Sequence, residues 1–381
     1  MNKKKIVFLT GTRADFGKLK SLIKITQESS LFEVHIFATG MHMNSLYGAT
    51  VGEIYKSGFK NIYQFMNHDT VEHMDRTLAK TIDGFSLYVS EIKPDMIIVH
   101  GDRLEAMAGA IVGSFNNILV SHIEGGEVSG TIDESIRHAV SKLAHIHLVA
   151  NEEAKLRIVQ LGEVKKDIFI LGSPDLDLMN PSSLPRLDIV KKYYNINFEN
   201  FSIAMFHPVT TEYNQVSTQI RNFIDSIIES NLNYILIYPN NDLGSIEILN
   251  EYKQLENNKK FKIFPSLRFE YFLQLLQSST FIIGNSSAGI REAPFYNIPT
   301  VDIGSRQQKR MLSKSIFHAE YDKKSILQTI EKAKQYTDNS SEHKNYFGDG
   351  TSDKIFLNLL NSENIWTTNC QKQFQELQSN A

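Results

Sequence analysis

The chain is poor in several features that mark specialised classes of protein. Its 381 residues include one cysteine, Cys370, so no disulfide can form within the chain and nothing calls for an oxidising compartment. A basic excess is also missing, since 40 Lys and Arg oppose 43 Asp and Glu, and this argues against nucleic acid as a partner. The apolar run after the N-terminal lysines, Ile6–Leu9, is too short for a signal-peptide core or a membrane span. We therefore expect a cytoplasmic protein that binds neither nucleic acid nor membranes.

What the sequence does contain is a regular alternation of short apolar runs and helical segments. The composition, 41% hydrophobic and 22% charged, is typical of a globular protein, and the length suggests two domains. Apolar runs of four to six residues without strict alternation are typical of parallel strands that are covered on both faces. The predicted strands are Ile6–Leu9, Val34–Phe37, Met96–His100, Ile118–His122, Ile146–Ala150, Phe201–Phe206, Tyr234–Tyr238, Phe261–Phe264, Phe281–Ile283 and Thr300–Ile303. The pattern predicts an α/β protein with two Rossmann-like doubly wound domains facing a cleft.

The boundary between these domains is predicted from composition. Proline, serine and asparagine concentrate in residues 171–188, which is typical of a linker, and the strand–helix rhythm restarts after it. We expect an N-terminal domain over residues 1–172, a C-terminal domain over residues 173–362, and a polar, helix-prone tail over residues 363–381 that packs back on the N-terminal domain.

Polar clusters follow six of the predicted strands. In open parallel sheets, ligands bind at the carboxyl ends of the strands, where loops lead into helices. The clusters are "GTRADFG", "HGDRLEA" and "SHIEGGE" in the first half, and "HPVTTE", "PNNDLGS" and "GNSSAGIRE" in the second. One such cluster is usually a turn or a cap, but their joint occurrence indicates a binding site.

The stretch "GNSSAGIRE" has two interpretations. It can form an anion cradle from Gly284, the hydroxyl and backbone N–H groups of Ser286 and Ser287, and a helix N-terminus. It can equally be an ordinary helix N-cap by Asn285 or Ser286. It lacks the lysine of a P-loop and the spacing of a dinucleotide fingerprint. Phosphate charge could be met by arginines from other loops, namely Arg13, Arg103 and Arg306.

Carboxylates crowd two neighbouring loops. Asp102 follows one strand, and Glu124, Glu127 and Asp133 follow the next. Neighbouring carboxylates push their pKa values apart, so that one can act as an acid and another as a base. The alternative is that Asp133 caps a helix beginning at Glu134 and that the glutamates are solvated, which leaves His122 and the glycine pair at 125–126 unexplained. No zinc-type ligand set is present, and we expect no catalytic metal.

These motifs resemble the hydrolysing UDP-N-acetylglucosamine 2-epimerases of bacterial sialic acid synthesis, over nearly the whole chain. The matching stretches are "TGTRADFGKLK", "TGMHM", "HGDRLEA", "HIEGGEVSGTIDESIRHAVSKLAHIHLVAN", "LGSPDLD", "FHPVTTE", "YPNND", "FPSLRFEYF", "GNSSAGIREAP" and "GSRQ". The non-hydrolysing epimerases share the fold but typically carry "GTRPE" and "HVEAGLR", whereas this chain has "GTRADFG" and "HIEGGE".

The resemblance implies a GT-B-like architecture and conversion of UDP-GlcNAc and water to N-acetylmannosamine and UDP, through anti elimination to 2-acetamidoglucal and rehydration. It implies the catalytic residues Asp102, Glu124, Asp133 and His207. It implies a UDP site formed by Arg13, Arg103, Asn240, Ser286, Ser287, Glu292 and Arg306. It further implies no cofactor, no metal, and a homodimer or homotetramer. The glycines of "HIEGGE" would let the backbone close on the sugar.

Other functions share parts of this pattern. A hydrolysing 2-epimerase of UDP-2,4-diacetamido-2,4,6-trideoxyglucose, as in legionaminic acid pathways, would differ only around C4 and C6 of the sugar. A GT-B glycosyltransferase would need an acceptor cleft in place of crowded carboxylates. A non-catalytic sugar-nucleotide sensor would have no use for Asp102, Glu124 and Asp133 together. The carboxylates therefore favour an enzyme that moves protons.

Overall fold

The computed structural model describes residues 3–67, 73–129, 132–179, 181–307, 313–337, 346–373 and 375–376. Within this part of the chain, contacts divide the molecule into two compact units. The first unit is Met1–Glu127, Asp133–Leu178 and Tyr346–Ala381, and the second is Val128–Ile132 and Met179–Asn345. Among the described residues, no helix combines the length and apolar character needed to cross a membrane.

The first unit is built on a parallel sheet. In chain order its strands are β1 (Lys4–Thr10), β2 (Phe32–Ala38), β3 (Ile62–Gln64), β4 (Met96–His100), β5 (Leu119–Ile123), β6 (Ile146–Val149) and β7 (Ile168–Ile170). Among the described strands, their order across the sheet is β3-β2-β1-β4-β5-β6-β7. The order reverses direction between β1 and β4, and in doubly wound sheets that switch point is where ligands bind.

Helices cover both faces of this sheet, which is why its strands are apolar throughout. Ile6 and Phe8 of β1 pack into one core cluster, whereas Val7 and Leu9 pack into another on the opposite face. The helices are α1 (Arg13–Glu28), α2 (Val51–Lys56), α3 (Met74–Ile92), α4 (Leu104–Phe115), α5 (Ile132–Leu143) and α6 (Glu152–Gln160).

The second unit repeats the design with a smaller parallel sheet. Its strands are β8 (Ser202–Met205), β9 (Tyr234–Ile237), β10 (Phe261–Phe264), β11 (Ile282–Gly284), β12 (Thr300–Ile303) and β13 (Ile316–Ala319), arranged β10-β9-β8-β11-β12-β13 among the described strands. Its helices are α7 (Leu187–Tyr193), α8 (Val216–Glu229), α9 (Ser245–Tyr252), α10 (Phe269–Gln277), α11 (Glu292–Phe295) and α12 (Lys323–Lys334). The two sheets confirm the predicted α/β class with paired Rossmann-like folds.

Short 3₁₀ turns connect many of these elements. They are Gly40–Met43, Ser45–Tyr47, Lys165–Asp167, Pro174–Leu178, Pro181–Ser183, Thr210–Gln215, Lys253–Leu255 and Ser287–Gly289.

The C-terminal part of the chain belongs to the first unit. Helices α13 (Ser352–Asn361) and α14 (Glu363–Trp366) bring Phe356, Leu360 and Ile365 into the core beside α1. Asp177 accepts hydrogen bonds from the first backbone N–H groups of α13, at 2.8 Å from Ser352 N and 3.0 Å from Asp353 N. Residues 346–362, which were predicted to belong to the C-terminal domain, are therefore part of the first unit, because α13 is amphipathic and its apolar face completes that core. Asn180 and the tail residues 374 and 377–381 lie outside the described residues.

Candidate functional site

A buried arginine lies at the centre of the carboxylate cluster of the first unit. Arg137, in the second turn of α5, has no solvent exposure. Its guanidinium forms an ion pair with Asp102, in the loop after β4, and its Nη1 donates to the Glu127 carbonyl at 3.3 Å. Burial by itself would lower the pKa of Arg137, but Asp102, Glu124, Glu127 and Asp133 together outweigh it and raise that pKa. The crowded carboxylates of the sequence are therefore gathered around one permanent positive charge.

Glu124 has a strained backbone, and its carboxylate lies beside two basic side chains. Its side chain is 7% exposed, and its Oε2 lies 3.0 Å from His100 Nε2 and 3.5 Å from Lys18 Nζ. Its backbone φ of +72° lies in the left-handed region, which costs a residue other than glycine about 1–3 kcal/mol. Strain of this kind persists where the surroundings fix a side chain, and it is common at functional sites.

His122, which the sequence left unexplained, is a buried structural link. Its Nε2 lies 2.9 Å from the Gly101 carbonyl, which can only accept, so Nε2 carries the proton and Nδ1 accepts from Ser141 Oγ at 3.0 Å. Burial lowers the pKa of His122 to about 3, so the ring is neutral. His122 thus joins β5 to α5 and to the loop that carries Asp102.

The glycine pair after Glu124 has a packing reason. Gly126 has φ +77°, and a Cβ there would lie 2.2 Å from the Ala154 carbonyl oxygen of α6. A Cβ on Gly125 would lie 2.9 Å from Ser141 Oγ. The close approach of the α6 backbone therefore requires glycine at 126, and the contact with Ser141 disfavours a side chain at 125. That the glycines also let the backbone close on the sugar stays a prediction.

Asp133 lies inside α5 and not before it. The helix begins at Ile132, so Asp133 is in its first turn, and the interpretation of Asp133 as the cap of a helix starting at Glu134 is wrong. Residues 130 and 131 of this stretch lie outside the described residues. The position places the Asp133 carboxylate at the positive end of the helix dipole and close enough to Arg137 to raise its pKa.

Arg13 and Arg103 lie at the carboxyl ends of β1 and β4, which are adjacent strands. Arg13 is the first residue of α1, whose start is fixed by a reciprocal capping box between Thr12 and Asp15. Arg103 directly precedes α4 and donates from Nε to Glu105 Oε2 at 3.3 Å. Both arginines are therefore located at the edge of the sheet where its strand order changes direction. Their role in UDP binding stays a prediction.

In the second unit, Asn285 joins two of the predicted residues, His207 and Arg306. It is fully buried after β11 and exchanges two hydrogen bonds with the backbone of His207, which follows β8: His207 N–H donates to Oδ1 at 2.7 Å, and Nδ2 donates to the His207 carbonyl at 2.9 Å. Arg306 Nη1 and Gln307 Nε2 donate to the Asn285 carbonyl at 3.2 and 2.9 Å. Asn285 thus fixes the backbone beside His207 instead of capping a helix.

The protonation of the His207 ring follows from its neighbour. The backbone N–H of Asn240 donates to His207 Nδ1 at 3.0 Å. A backbone N–H can only donate, so Nδ1 is unprotonated and the ring proton is on Nε2. His207 therefore offers an N–H donor, which suits a phosphate oxygen.

The serine-rich segment forms a turn rather than the start of a long helix. Ser286 accepts from Ala288 N at 3.3 Å and caps the 3₁₀ turn Ser287–Gly289. The next helix, α11, has four residues and begins at the buried Glu292. The predicted cradle would therefore act through hydroxyl and backbone N–H groups, because elements this short have little dipole.

The sequence predictions missed several residues of these clusters. Arg137 was not singled out, although it lies four positions after Asp133 on one face of α5, a spacing at which opposite charges meet. His100 and Lys18 had no such local signal, because the fold alone brings them to Glu124.

Comparisons with known proteins point to one family of enzymes. Residues 24–361 match the family model described as UDP-N-acetylglucosamine 2-epimerase. A protein of Neisseria meningitidis serogroup B named UDP-N-acetylglucosamine 2-epimerase is 48% identical to this chain. The match covers 98% of this chain and 99% of that protein. A protein of Legionella pneumophila named UDP-N,N'-diacetylbacillosamine 2-epimerase (hydrolyzing) is 33% identical, with coverage of 94% of this chain and 95% of that protein.

The fold has solved counterparts. The crystal structure of a UDP-GlcNAc 2-epimerase from Methanocaldococcus jannaschii, in complex with UDP-GlcNAc and UDP, superimposes with a TM-score of 0.80 at 20% identity. The match covers 94% of this chain and 99% of that one.

Proposed function

Because the chain belongs to the UDP-N-acetylglucosamine 2-epimerase family, we propose that it is an epimerase of the hydrolysing kind. It would convert UDP-GlcNAc and water to N-acetylmannosamine and UDP, for sialic acid synthesis. The Legionella relative, whose name includes hydrolysis, and the "HIEGGE" motif of this chain support the hydrolysing type. We propose that it works in the cytoplasm, as a homodimer or homotetramer, without a metal or another cofactor.

The observation that carries this proposal is the gathering of carboxylates around Arg137. Asp102 is paired with its guanidinium, and Glu124 lies against His100 and Lys18. A binding protein for sugar nucleotides gains nothing from several carboxylates crowded around one arginine, whereas epimerisation at a carbon atom needs both an acid and a base within reach of the sugar.

The chemistry follows from the weak acidity of a sugar C2–H. A carboxylate base removes that proton only if the C1–O bond breaks as it does so and the electron pair departs with UDP. This elimination leaves 2-acetamidoglucal. Water then bonds to C1 through its oxygen and gives up a proton to a carboxylate. A carboxylic acid delivers a proton to C2 on the face opposite to the one that lost its proton, which inverts the configuration at C2. We assign these proton transfers to Asp102, Glu124 and Asp133.

Departure of UDP requires groups that stabilise its negative charge. In the second unit, His207 supplies an Nε2–H, and Arg306, Asn240, Ser286 and Ser287 lie on the loops beside it. We assign these residues to UDP together with Glu292, and in the first unit Arg13 and Arg103. His207 would stand next to the leaving phosphate.

The test is incubation with UDP-GlcNAc in D₂O, followed by proton and phosphorus NMR. Elimination and rehydration place solvent deuterium at C2 of a free sugar of manno configuration, and UDP is released. A product that retains protium at C2, or that keeps the gluco configuration, would remove the mechanism. A nucleotide sugar of manno configuration with no UDP would identify a non-hydrolysing epimerase.

A second substrate is favoured by the Legionella relative, which is named for UDP-N,N'-diacetylbacillosamine. The same proton-transfer and UDP groups would serve it. We place it second because the relative named for UDP-GlcNAc shares 48% of its residues with this chain and the Legionella protein 33%. The ratio of kcat/KM for the two UDP-sugars decides between them.

A further inference from the structure

The C-terminal end of α5 is held by a lysine from a distant part of the chain. Lys372 Nζ donates to the carbonyls of Lys142 and Ala144, at 2.8 and 2.6 Å, and forms an ion pair with Glu163. The last carbonyl groups of a helix have no partner within it, and a cation there also opposes the negative end of the helix dipole. Lys372 thus closes the end of α5 that lies opposite Asp133.

Glu163 makes the ion pair a buried one. Its side chain is 2% exposed, and it also lies 2.9 Å from Lys142 Nζ and 3.1 Å from His147 Nε2. Burial by itself would raise the pKa of Glu163, but the hydrogen bonds from His147 and Lys372 outweigh it and lower the pKa to about 2. Glu163 is therefore a permanent anion that keeps the Lys372 ammonium group in place.

The segment around Lys372 has two further attachments. The backbone N–H of Val120 donates to His145 Nδ1 at 3.0 Å, so the ring proton is on Nε2, which donates to the Cys370 carbonyl at 3.0 Å. Thr368 Oγ1 donates to Asp167 at 3.0 Å. The segment 368–372 is thus fixed to β5, to the end of α5 and to the turn before β7.

At its other end, α5 carries the site. Asp133 lies in its first turn, Arg137 in its second, and Ser141 holds His122, which in turn holds the Gly101 carbonyl next to Asp102. A helix moves as a unit, so a shift of its C-terminal end changes the position of each of these groups. A misplacement of about 1 Å can lower a rate by roughly a hundredfold.

We propose that Lys372 is a positioning residue of the site: its ammonium group fixes α5 and thereby the placement of Asp133 and Arg137. The test of this inference by turnover rests on the proposed function. The test by hydrogen exchange in α5 does not depend on it. The described contacts of the Lys372 ammonium group all lie at the end of α5 and at Glu163, away from the residues assigned to catalysis or to UDP. Its removal should therefore change turnover and leave nucleotide affinity intact.

The test compares Lys372→Met with Lys372→Arg in the full-length protein. Lys372→Met removes the charge and the donors but leaves Glu163 its contacts with Lys142 and His147, so the variant should fold. We expect its kcat for UDP-GlcNAc to fall roughly tenfold to a hundredfold, with KM and calorimetric UDP affinity unchanged. Lys372→Arg keeps the charge and the donors and should restore most of the rate. Amides of residues 132–143 should exchange faster in Lys372→Met than in Lys372→Arg.

Each outcome bears on the proposal. Lys24→Met, an exposed lysine of α1, is the matched control and should behave like the parent protein. Unchanged kcat together with unchanged exchange in α5 would overturn the proposal. So would a loss of both rate and UDP affinity that Lys372→Arg does not restore, because this would mark a general structural role. If Lys372→Met does not fold, Lys372→Gln, which keeps a donor, replaces it. Absence of turnover in the parent protein would refute the proposed function, whereas the exchange measurement would still decide about Lys372.

Discussion

The sharpest quantitative test concerns Gly126, because two separate penalties meet at that position. Its φ of +77° is disfavoured for any residue with a Cβ, and that Cβ would lie 2.2 Å from the Ala154 carbonyl oxygen. The left-handed backbone conformation costs an alanine about 1–2 kcal/mol. The close contact of its Cβ with the Ala154 carbonyl oxygen adds about 1–3 kcal/mol. We therefore expect Gly126→Ala to lower the free energy of unfolding of the first unit by roughly 2–5 kcal/mol.

Alanine substitutions at two other glycines distinguish the cost of the backbone conformation from the cost of the close contact. Gly101 has φ +74°, but beyond its own residue and its two chain neighbours no described atom lies within 4 Å of the position that a Cβ would take. Gly101→Ala should therefore cost only the backbone strain of about 1–2 kcal/mol. Gly52 has neither penalty and lies in α2, where alanine is favoured over glycine by about 0.5–1 kcal/mol. Gly52→Ala should therefore be neutral or stabilising.

The measurement is urea unfolding of the parent protein and the three variants, followed by a probe that reports on the first unit, such as the fluorescence of Trp366. The expected order of stability is Gly52→Ala, then Gly101→Ala, then Gly126→Ala. If Gly126→Ala were no less stable than Gly101→Ala, close packing of this loop on α6 would not be the reason for the glycine pair.

The remaining predictions concern catalysis, acidity and metals. Glu124→Gln should lower turnover by roughly 10²–10⁴-fold and leave UDP affinity unchanged, whereas Arg306→Ala should weaken calorimetric UDP binding by about 1.5–3 kcal/mol; the same phenotype for both would contradict the division of roles. Burial lowers the pKa of His42 to about 4 and that of His122 to about 3, so the unfolded chain takes up protons below pH 6.5 before the folded one does, and stability falls as the pH drops. At pH 5 each histidine should contribute about 2 kcal/mol of this loss. Urea unfolding of His42→Gln and of the parent protein at pH 7 and pH 5 tests this, because the free energy of unfolding should fall less in the variant than in the parent. EDTA should leave activity intact, because arginine and N–H donors are available for the phosphate charge; activity that disappears with EDTA and returns only with a divalent ion would contradict this.

The sequence predicts the centre of each sheet better than its edges. Met96–His100 and Thr300–Ile303 were predicted with their observed bounds, because interior strands of a covered parallel sheet are apolar on both faces. Phe261–Phe264 was also predicted with its observed bounds, although it lies at the edge of the second sheet. The strands β3, β7 and β13 were missed. All three lie at sheet edges and are three or four residues long, and β3 and β13 include exposed residues such as Tyr63 and His318. β3 and β13 carry no apolar run of four residues, whereas residues 168–171 around β7 form such a run that was not assigned to a strand.

The candidate site shows a similar limit. The motifs locate Asp102, Glu124 and His207, because each follows an interior strand. They do not reveal that Arg137 collects the carboxylates or that Asn285 holds His207, since these contacts join loops far apart in the chain. Nor do they distinguish a glycine required by a ligand from one required by Ala154, because only the folded backbone shows the close approach.

The bonding of Asn285 also bears on how the protein ages chemically. Asn285 is followed by a serine, and asparagine before a small residue is prone to lose ammonia and become aspartate, a reaction that heat accelerates. Its two hydrogen bonds to the His207 backbone keep the amide from turning towards the next peptide nitrogen, so the folded protein protects it. Deamidation would replace the donating Nδ2 by an oxygen that faces the His207 carbonyl, and two acceptors would then repel each other. Protein heated until it unfolds should accordingly accumulate a species one dalton heavier in the peptide that contains residue 285, whereas protein stored in its folded state should not.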